Sequence, residues 1–377
     1  MFLDERTSAY RRCQPIRTED QVTTPNADNS LLALYEDFDR HHLLPLWTQR
    51  ADLMPPAPQP KAVPHRWRWR DLHPLAERAG ALVPVGRGGE RRAIALANPG
   101  LAGLPYATPT LWAAVQYLGP QEVAPDHRHS PNAFRFVLEG EGVWTVVDGD
   151  PVAMRRGDLL LTPGWAWHGH HNAHDAPMAW LDGLDLPIAG QLDATFFEFG
   201  PDDITDRSTP TISRAERLWA HPGLTPVGAT PDPTRPPLSA YRWEHTDAAL
   251  TAQLQLADEG HPGVVEPGHA AVRFTHPTTG ADALPTLRTE MHRLRAGTTT
   301  ARRRETGSSV WQVFDGTGTF TLGGTPHEVR RGDLIAVPSW CPTEIAAHQP
   351  LDLFRFSDAP VIERLGFAHT ETPGGAR

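Results

Sequence analysis

Three histidines with the spacing of a metal site are the most informative feature of this sequence. His127 and His129 form an H-x-H pair, and His168 follows about forty residues later, between Pro163 and Asn172. On a β-strand, side chains two residues apart point to the same side, so the pair presents both imidazoles to one face. A third imidazole from a later strand would complete a three-His face with open coordination positions, which activation of a substrate or of oxygen requires. The residues alone leave the metal open among Fe, Mn, Ni and Zn.

Charged and titratable residues near these histidines are candidates for handling a substrate. Arg135 lies six residues after the H-x-H pair, and this even spacing keeps it on the metal-facing side. A buried arginine needs a partner, which a substrate carboxylate would provide; an ion pair with a local acid is the alternative. His170 shares a strand face with His168 and is a candidate proton donor or acceptor. Asp182 is a candidate to orient His170 or to bind substrate, and otherwise a turn residue.

Short strands must position these residues. From about residue 91 the sequence consists of short apolar runs separated by Gly, Asp and Pro, such as LWAAVQYL, AFRFVLEG and GVWTVVDG. This pattern is typical of an antiparallel barrel or jelly roll. Before it, apolar residues at helical spacing predict a helix within residues 29–49 and a second, short helix at 66–83, separated by a Pro-rich stretch at 54–64.

A repeat indicates two such barrels. RRGDLLLTPGW, which begins at residue 155, returns 175 residues later as RRGDLIAVPSW, and FVLEGEGVWTV is echoed by QVFDGTGTFTL. The second copy has approximately Arg303, Glu305 and Thr343 where the first has its three histidines. We therefore expect the second copy to be metal-free and to serve structure or assembly.

These patterns divide the chain into five parts. The expected order is an N-terminal arm with helices (1–84), a metal-binding barrel (85–200), an interdomain segment (201–284), a second, metal-free barrel (285–368) and a tail (369–377).

Composition excludes several classes of protein. The net charge of −10 argues against a nucleic-acid-binding surface. No apolar run approaches the ~18 residues of a membrane span, and the first residues contain no apolar signal-peptide core. The two cysteines, Cys13 and Cys341, form neither a disulfide framework nor a CxxC pair. We expect a globular cytoplasmic protein without nucleic-acid or membrane partners.

The motifs resemble those of the bicupin proteins, and their longer context resembles the gentisate 1,2-dioxygenase family. The segments that carry this resemblance are LWAAVQYLGPQEVAPDHRHSPNAFRFVLEGEG and GDLLLTPGWAWHGHHN followed by WLDGLDLPI. That family includes salicylate and 1-hydroxy-2-naphthoate ring-cleaving dioxygenases. The resemblance is strong over residues 85–200 and recognisable over 285–368. It implies a mainly β fold with two double-stranded β-helix (jelly-roll) barrels and a helical N-terminal segment.

The resemblance also implies roles for individual residues. Fe(II) would be held by His127, His129 and His168, with Arg135 where the general cupin pattern has a fourth ligand, a glutamate. The substrate would contact Arg91, Trp112, Gln116 and Arg135. His170, Asp182 and Arg135 would take part in catalysis.

The implied reaction is cleavage of a hydroxylated aromatic acid between its carboxyl-bearing and hydroxyl-bearing carbons, with insertion of both atoms of O2. With gentisate the product would be maleylpyruvate, and the family tendency is a homotetramer. Salicylate, an aminosalicylate or 1-hydroxy-2-naphthoate are alternative substrates. A non-oxidative metal cupin, isomerase or hydrolase, is a further alternative, although such sites usually retain the glutamate that Arg135 replaces. A binding or storage cupin would commonly lack an intact set of three histidines.

Overall fold

The computed structural model describes residues 25–83, 92–200, 206–230 and 232–372. The chain divides between Ala57 and Pro58 into two compact units. In the first unit the helices are α1 (Pro25–Arg40) and α2 (Leu46–Leu53). The single helical stretch expected over 29–49 is thus interrupted, because His42 has a left-handed backbone and Pro45 cannot donate a helical hydrogen bond.

The second unit consists mainly of short strands, as the sequence pattern predicts. Up to residue 200 it contains β1 (His65–Trp67), α3 (Trp69–Leu82), β2 (Ala93–Ala95), a 3-10 turn (Pro99–Leu101), β3 (Trp112–Leu118), β4 (Val123–His129), β5 (Ala133–Glu139), β6 (Glu141–Val147), β7 (Asp150–Arg155), β8 (Leu159–Thr162), β9 (His168–Asn172), β10 (Met178–Leu184), α4 (Leu186–Gln191) and β11 (Phe197–Phe199). From residue 206 it contains α5 (Arg214–Trp219), β12 (Ala240–Tyr241), α6 (Trp243–Asp258), β13 (His269–Arg273), β14 (Arg288–Leu294), β15 (Arg304–Glu305), β16 (Ser309–Asp315), β17 (Thr317–Leu322), β18 (Thr325–Arg330), β19 (Leu334–Val337), β20 (Thr343–Ala347), β21 (Leu351–Ser357), α7 (Ala359–Arg364) and β22 (Thr370–Glu371).

These strands form two jelly-roll barrels, which confirms the predicted fold class. The first barrel has one sheet in the order β12-β8-β5-β10-β3-β2 and another in the order β11-β4-β9-β6-β7. The second barrel has a sheet in the order β1-β19-β16-β21-β14-β13 and a smaller one in the order β18-β17-β20. The paired strands are antiparallel throughout these sheets.

Each barrel takes an edge strand from the segment that precedes the other barrel. β1 precedes the first barrel but pairs with β19 of the second, and β12 precedes the second barrel but pairs with β8 of the first. The helix after each of these strands begins with a tryptophan whose backbone N–H donates to an aspartate of the opposite barrel, Trp69 to Asp333 and Trp243 to Asp158, at 2.9 Å each. The duplication therefore extends beyond the motifs visible in sequence.

A continuous apolar core joins the two barrels. Phe136 of β5 stacks on Phe354 of β21 with ring centroids 4.1 Å apart, and Phe134 packs against both Phe354 and Phe356. All four rings are fully buried. Because this core is shared, the two barrels lie within one compact unit.

None of the helices in the described residues is long and apolar enough to cross a membrane.

Candidate functional site

The three predicted metal ligands lie together inside the first barrel. His127 and His129 are on β4, and His168 begins β9, directly opposite His127 in the strand register. Their ligand nitrogens all lie within 4.8 Å of one another, and each histidine is at least nine-tenths buried. Antiparallel pairing of two distant segments has thus produced the three-His face that the H-x-H spacing predicts.

Hydrogen bonds at the far side of each ring leave the inner nitrogens available to a metal. The Nδ1 atoms of His127, His129 and His168 lie 2.8–3.0 Å from the backbone carbonyl oxygens of Pro125, Pro131 and Ala166. A carbonyl oxygen only accepts, so each Nδ1 carries the proton and each Nε2 presents a lone pair. This arrangement is typical of metal-binding histidines.

The donor set fits a divalent metal. His168 Nε2 is buried and has no hydrogen-bond partner within the protein. Burial, reinforced by His127, Arg135 and His129, holds the pKa of His168 well below its usual value, so the imidazole is uncharged. A bound metal would satisfy this otherwise costly lone pair. Among the described residues, these histidines are the group of three ligating side chains close enough to hold a metal ion.

A cavity of about 430 Å³ opens beside the histidines. This volume is sufficient for a substituted aromatic ring. The lining includes His127, His129, Trp112, Gln116, Arg135, His170, Asp182, Ala93, Ala133, Leu184, Leu186 and Phe199. Most of the residues predicted to contact substrate therefore share one cavity with the metal centre.

Strand register explains why these side chains converge. On β3 and β10, Gln116 is opposite Trp180 and Trp112 is opposite Leu184. Asp182 lies on β10 between Trp180 and Leu184, and it is opposite Arg135 of β5. Residues opposite each other in an antiparallel pair point to the same face. This shared face carries Trp112, Gln116, Arg135 and Asp182, all of which line the cavity.

The buried arginine of the site has a protein partner. Arg135 Nε lies 3.5 Å from Asp182 Oδ1, and its Nη1 donates to Thr162 Oγ1. Burial raises the pKa of Asp182 to about 6, although Arg135 and a hydrogen bond of 3.1 Å from Trp180 Nε1 both lower it. The ion pair with a local acid, which the sequence left as an alternative, is therefore present, and Arg135 also lines the cavity.

His170 lines the cavity, whereas Asp182 contacts Arg135 and Trp180. The His170 ring lies 6.4 Å from that of His168 and 5.2 Å from that of Trp180. His170 Nδ1 is buried without a hydrogen-bond partner. Burial and the positive charge of Arg135 hold the pKa of His170 well below its usual value.

His171, the residue after His170, is buried although it lies in a polar run of the sequence. It is 4% exposed and stacks on Trp144 with ring centroids 5.8 Å apart. This position is buried because the loop after β9 begins only at Ala173. Arg91, a predicted substrate contact, falls outside the described residues. The next residue, Arg92, forms a buried ion pair with Glu122.

Sequence reasoning missed part of the cavity wall. Phe199 lies on β11 opposite His127, and Phe197 on the same strand lies opposite His129, with its ring 5.4 Å from that of His127. The alternating aromatic residues in FFEF were a signal for a strand beside the ligands. Leu186, which begins α4, carried no such signal because its place depends on the chain reversal after β10.

The second barrel has the same backbone frame around the corresponding positions. Arg303 forms a β-bridge with Thr343, as His127 pairs with His168. Trp340 has a left-handed backbone, and its N–H donates to the carbonyl of Glu305 at 2.7 Å. Trp165 and His129 form the same contact at the same distance in the first barrel. The frame of the metal site is thus duplicated without its three histidines.

Comparisons with known proteins agree with this architecture. A cupin domain model matches residues 114–184. The chain is 65% identical to a gentisate 1,2-dioxygenase of a Streptomyces species, over 93% of this chain and 98% of that protein. It is 36% identical to a 5-aminosalicylate 1,2-dioxygenase of a Comamonas species, over 89% of this chain and 88% of that protein. Its structure matches that of salicylate 1,2-dioxygenase from Pseudoaminobacter salicylatoxidans, solved as adducts with gentisate. That match has a TM-score of 0.90 and 58% sequence identity, and covers 95% of this chain and 96% of the other.

Proposed function

Because the chain belongs to the gentisate 1,2-dioxygenase family of bicupin ring-cleaving dioxygenases, we propose that it cleaves the ring of gentisate with O2 to give maleylpyruvate. The observation that carries this proposal is the three-His group beside a cavity that contains a buried arginine in place of the usual cupin carboxylate ligand. A metal held by three neutral imidazoles retains open positions on the cavity side.

We propose Fe(II) as the metal and His127, His129 and His168 as its ligands. When bound, Fe(II) supplies the redox chemistry that activates O2 for insertion into the aromatic ring. The protein contributes uncharged ligand nitrogens, whose orientation is fixed by the backbone carbonyls at their far sides.

The cavity residues would bind and orient the aromatic acid. The cationic Arg135 attracts the substrate carboxylate, Gln116 hydrogen-bonds the carboxylate or the hydroxyl group, and Trp112 packs against the ring. Arg91 is proposed as a second contact to the carboxylate. These contacts would position the two ring carbons of the bond to be cleaved next to the metal site.

His170 and Asp182 would support the reaction from the deeper wall. His170 lines the cavity, so its imidazole is proposed to exchange the proton of the substrate hydroxyl group. Asp182 is proposed to hold Arg135, because the two side chains form a buried ion pair.

Substrate identity is tested by incubating the Fe(II)-loaded protein with O2 and a panel of aromatic acids. The panel contains gentisate, salicylate, 5-aminosalicylate and 1-hydroxy-2-naphthoate, with oxygen uptake and near-UV absorbance followed together. We expect gentisate to give stoichiometric oxygen consumption and a ring-fission product. Salicylate is the second candidate, because the 58% identical structure is that of a salicylate 1,2-dioxygenase. If the iron-loaded protein converts none of these acids, the proposal is wrong.

The metal assignment is tested with a matched pair of variants. His168→Ala removes a ligand whose buried Nε2 has no other partner, so we expect loss of bound iron and of ring cleavage. Thr343→Ala changes the corresponding position of the second barrel and should retain both. Iron per chain is measured by elemental analysis and activity by oxygen uptake. Full iron content and activity in His168→Ala would refute the assignment.

The remaining proposals concern organisation. The second barrel, within residues 285–368, is proposed to be metal-free, and the protein to assemble as a homotetramer, which sedimentation velocity measures directly. A reducing cytoplasmic location fits a chain with only two cysteines.

A further inference from the structure

The second barrel contains a cavity at the position that corresponds to the metal centre of the first barrel. Its volume is about 160 Å³, and its lining includes Arg303, Glu305 and Thr343, the residues that stand in place of the three histidines. A cavity of about 150 Å³ is sufficient to hold a benzene ring. The second barrel therefore has space for one small aromatic molecule.

The inner wall of this cavity differs in chemistry from that of the catalytic cavity. In the first barrel Asp182 lies opposite Arg135, whereas in the second Arg355 lies opposite Trp311 on one side and Glu290 on the other. Trp311 lines the cavity. Trp311 thus stands where the first barrel has Arg135, and Arg355, which also lines the cavity, stands where the first barrel has Asp182.

A chain of hydrogen bonds fixes the protonation of a buried histidine in this wall. Glu266 Oε1 lies 3.4 Å from His269 Nδ1, and His269 Nε2 lies 3.0 Å from His292 Nδ1. A carboxylate accepts, so His269 carries its proton on Nδ1 and accepts at Nε2 from His292. Burial lowers the pKa of His269 to about 4, in agreement with an uncharged ring.

The last atom of this hydrogen-bond chain, His292 Nε2, is an acceptor without a donor. With Nδ1 donating to His269, an uncharged His292 ring presents a lone pair at Nε2, which is buried and has no hydrogen-bond partner. The nearest Glu290 oxygen is 3.9 Å away, beyond hydrogen-bond distance, and would not donate. His292 is 7% exposed and lines the cavity. A ligand in the cavity that carries a hydroxyl group would satisfy this atom.

The charges around the cavity favour an uncharged ligand over an aromatic acid. Arg355 is already paired with Glu290, at 2.5 Å, and with Glu305. Glu266 adds another carboxylate to the lining, and Arg303 is exposed, where water screens its charge. A ligand carboxylate would therefore meet Glu266 and Glu305, while the buried Arg355 is already held by two carboxylates.

The rest of the lining suits an aromatic ring and does not suit a metal. Val265, Val337 and Ile345 supply apolar surface beside Trp311. Among the described residues of this barrel, no three ligating atoms are close enough to one another to hold a metal ion.

We propose that this cavity binds a small neutral phenol, with its hydroxyl group donating to His292 Nε2 and its ring packed against Trp311 and the apolar wall. The site is separate from the catalytic cavity and selects against the carboxylate that a catalytic substrate carries.

The test is calorimetric titration of the full-length, iron-loaded protein with phenol, with benzene and benzoate as comparison ligands. We expect phenol to bind about tenfold or more tightly than benzene, because benzene leaves the buried acceptor unsatisfied. His292→Phe should weaken phenol binding by about the same factor while retaining ring-cleavage activity. Gln116→Leu, which changes the corresponding position of the catalytic cavity, should leave phenol binding unchanged.

A second variant covers the case in which His292→Phe folds poorly. Ala301→Trp places a bulky side chain at an exposed position of the cavity lining, and we expect it to abolish phenol binding. Absence of phenol binding to the wild-type protein would overturn the proposal. Equal binding to wild type and Ala301→Trp, or loss of binding in Gln116→Leu instead, would also overturn it, because either result would locate the phenol elsewhere.

Discussion

At the scale of single residues, the site depends on uncharged donors and acceptors held in a buried space. Each metal-facing imidazole presents Nε2 because a backbone carbonyl accepts from its Nδ1. Arg135 and Asp182 balance each other's charge beside that centre. The chemistry of the site is therefore determined by which nitrogen of each ring carries the proton as much as by which residues are present.

Gln116 provides a test of substrate positioning at this scale. Its side chain is 8% exposed and lines the catalytic cavity. Gln116→Leu keeps a similar volume but removes the hydrogen bond proposed between Gln116 and the substrate, so we expect kcat/KM for gentisate to fall about ten- to hundredfold, with iron content unchanged. Steady-state oxygen uptake measures this loss. An unchanged kcat/KM would show that Gln116 does not contact the substrate.

At the scale of elements, turns and strand register bring the functional segments together. The turn before β8 contains Gly157, which has a left-handed backbone with φ +87°. A Cβ atom at this position would lie 2.8 Å from Trp243 Cγ and 2.9 Å from Phe314 Cζ. The glycine is therefore required both by the turn and by the close approach of α6 and the second barrel.

Two glycine variants separate the effect of the positive φ from the effect of the close approach at Gly157. Gly149 also has a positive φ, of +74°, but a Cβ atom there meets only the end of Arg214, at 3.9 Å. We expect Gly149→Ala to cost about 1 kcal/mol from backbone strain alone. Gly157→Ala should cost about 1–3 kcal/mol more, because it also overpacks the contact between the barrels. Unfolding in denaturant measures both variants. An equal loss of unfolding free energy in the two variants would show that the packing around Gly157 accommodates the added methyl group without destabilising the protein.

At the scale of the whole molecule, the duplication has produced a pair of barrels that complete each other. Each barrel takes an edge strand from the segment that precedes the other, and carboxylates at the starts of α4 and α7 accept hydrogen bonds from threonines of the opposite barrel. Thr286 donates a hydrogen bond to Asp185, and Thr110 donates one to Asp358. The second barrel is thus part of the scaffold of the one that carries the three histidines.

The buried carboxyl group of Asp358, at the contact between the two barrels, makes the stability of the folded protein depend on pH. Burial raises its folded-state pKa to about 6, although Thr110 and the backbone of Ser308 donate to it and Arg355 lies near. In the unfolded chain the same carboxyl ionises near pH ~4, so the folded state is destabilised as the pH rises from about 4 to about 6. Asp358→Asn cannot ionise. We expect wild type to lose about 1 kcal/mol relative to Asp358→Asn between about pH 5 and about pH 8.

Thermal unfolding of both proteins at the two pH values measures this difference. A difference in stability between wild type and Asp358→Asn that stays constant with pH would contradict the prediction. Such a result would mean that the folded-state pKa of Asp358 stays near its ordinary value.

The sequence by itself determined the elements and the candidate metal ligands, because both are encoded over short distances. Strand periodicity and the spacing of His127, His129 and His168 are local properties, and the recurring RRGD motif revealed the second barrel. The expectation that this barrel is metal-free followed from Arg303, Glu305 and Thr343 alone.

Only the tertiary structure decided which distant side chains meet. The pairing of Arg135 with Asp182, the burial of His171, the position of Phe199 beside the ligands and the exchange of edge strands between the barrels all depend on strand register and long-range packing. Many pairings satisfy the same local pattern, and the one adopted is set by the shared apolar core that it buries. That is the physical reason why the ligands could be read from the sequence while part of the catalytic cavity wall, including Phe199 and Leu186, could not.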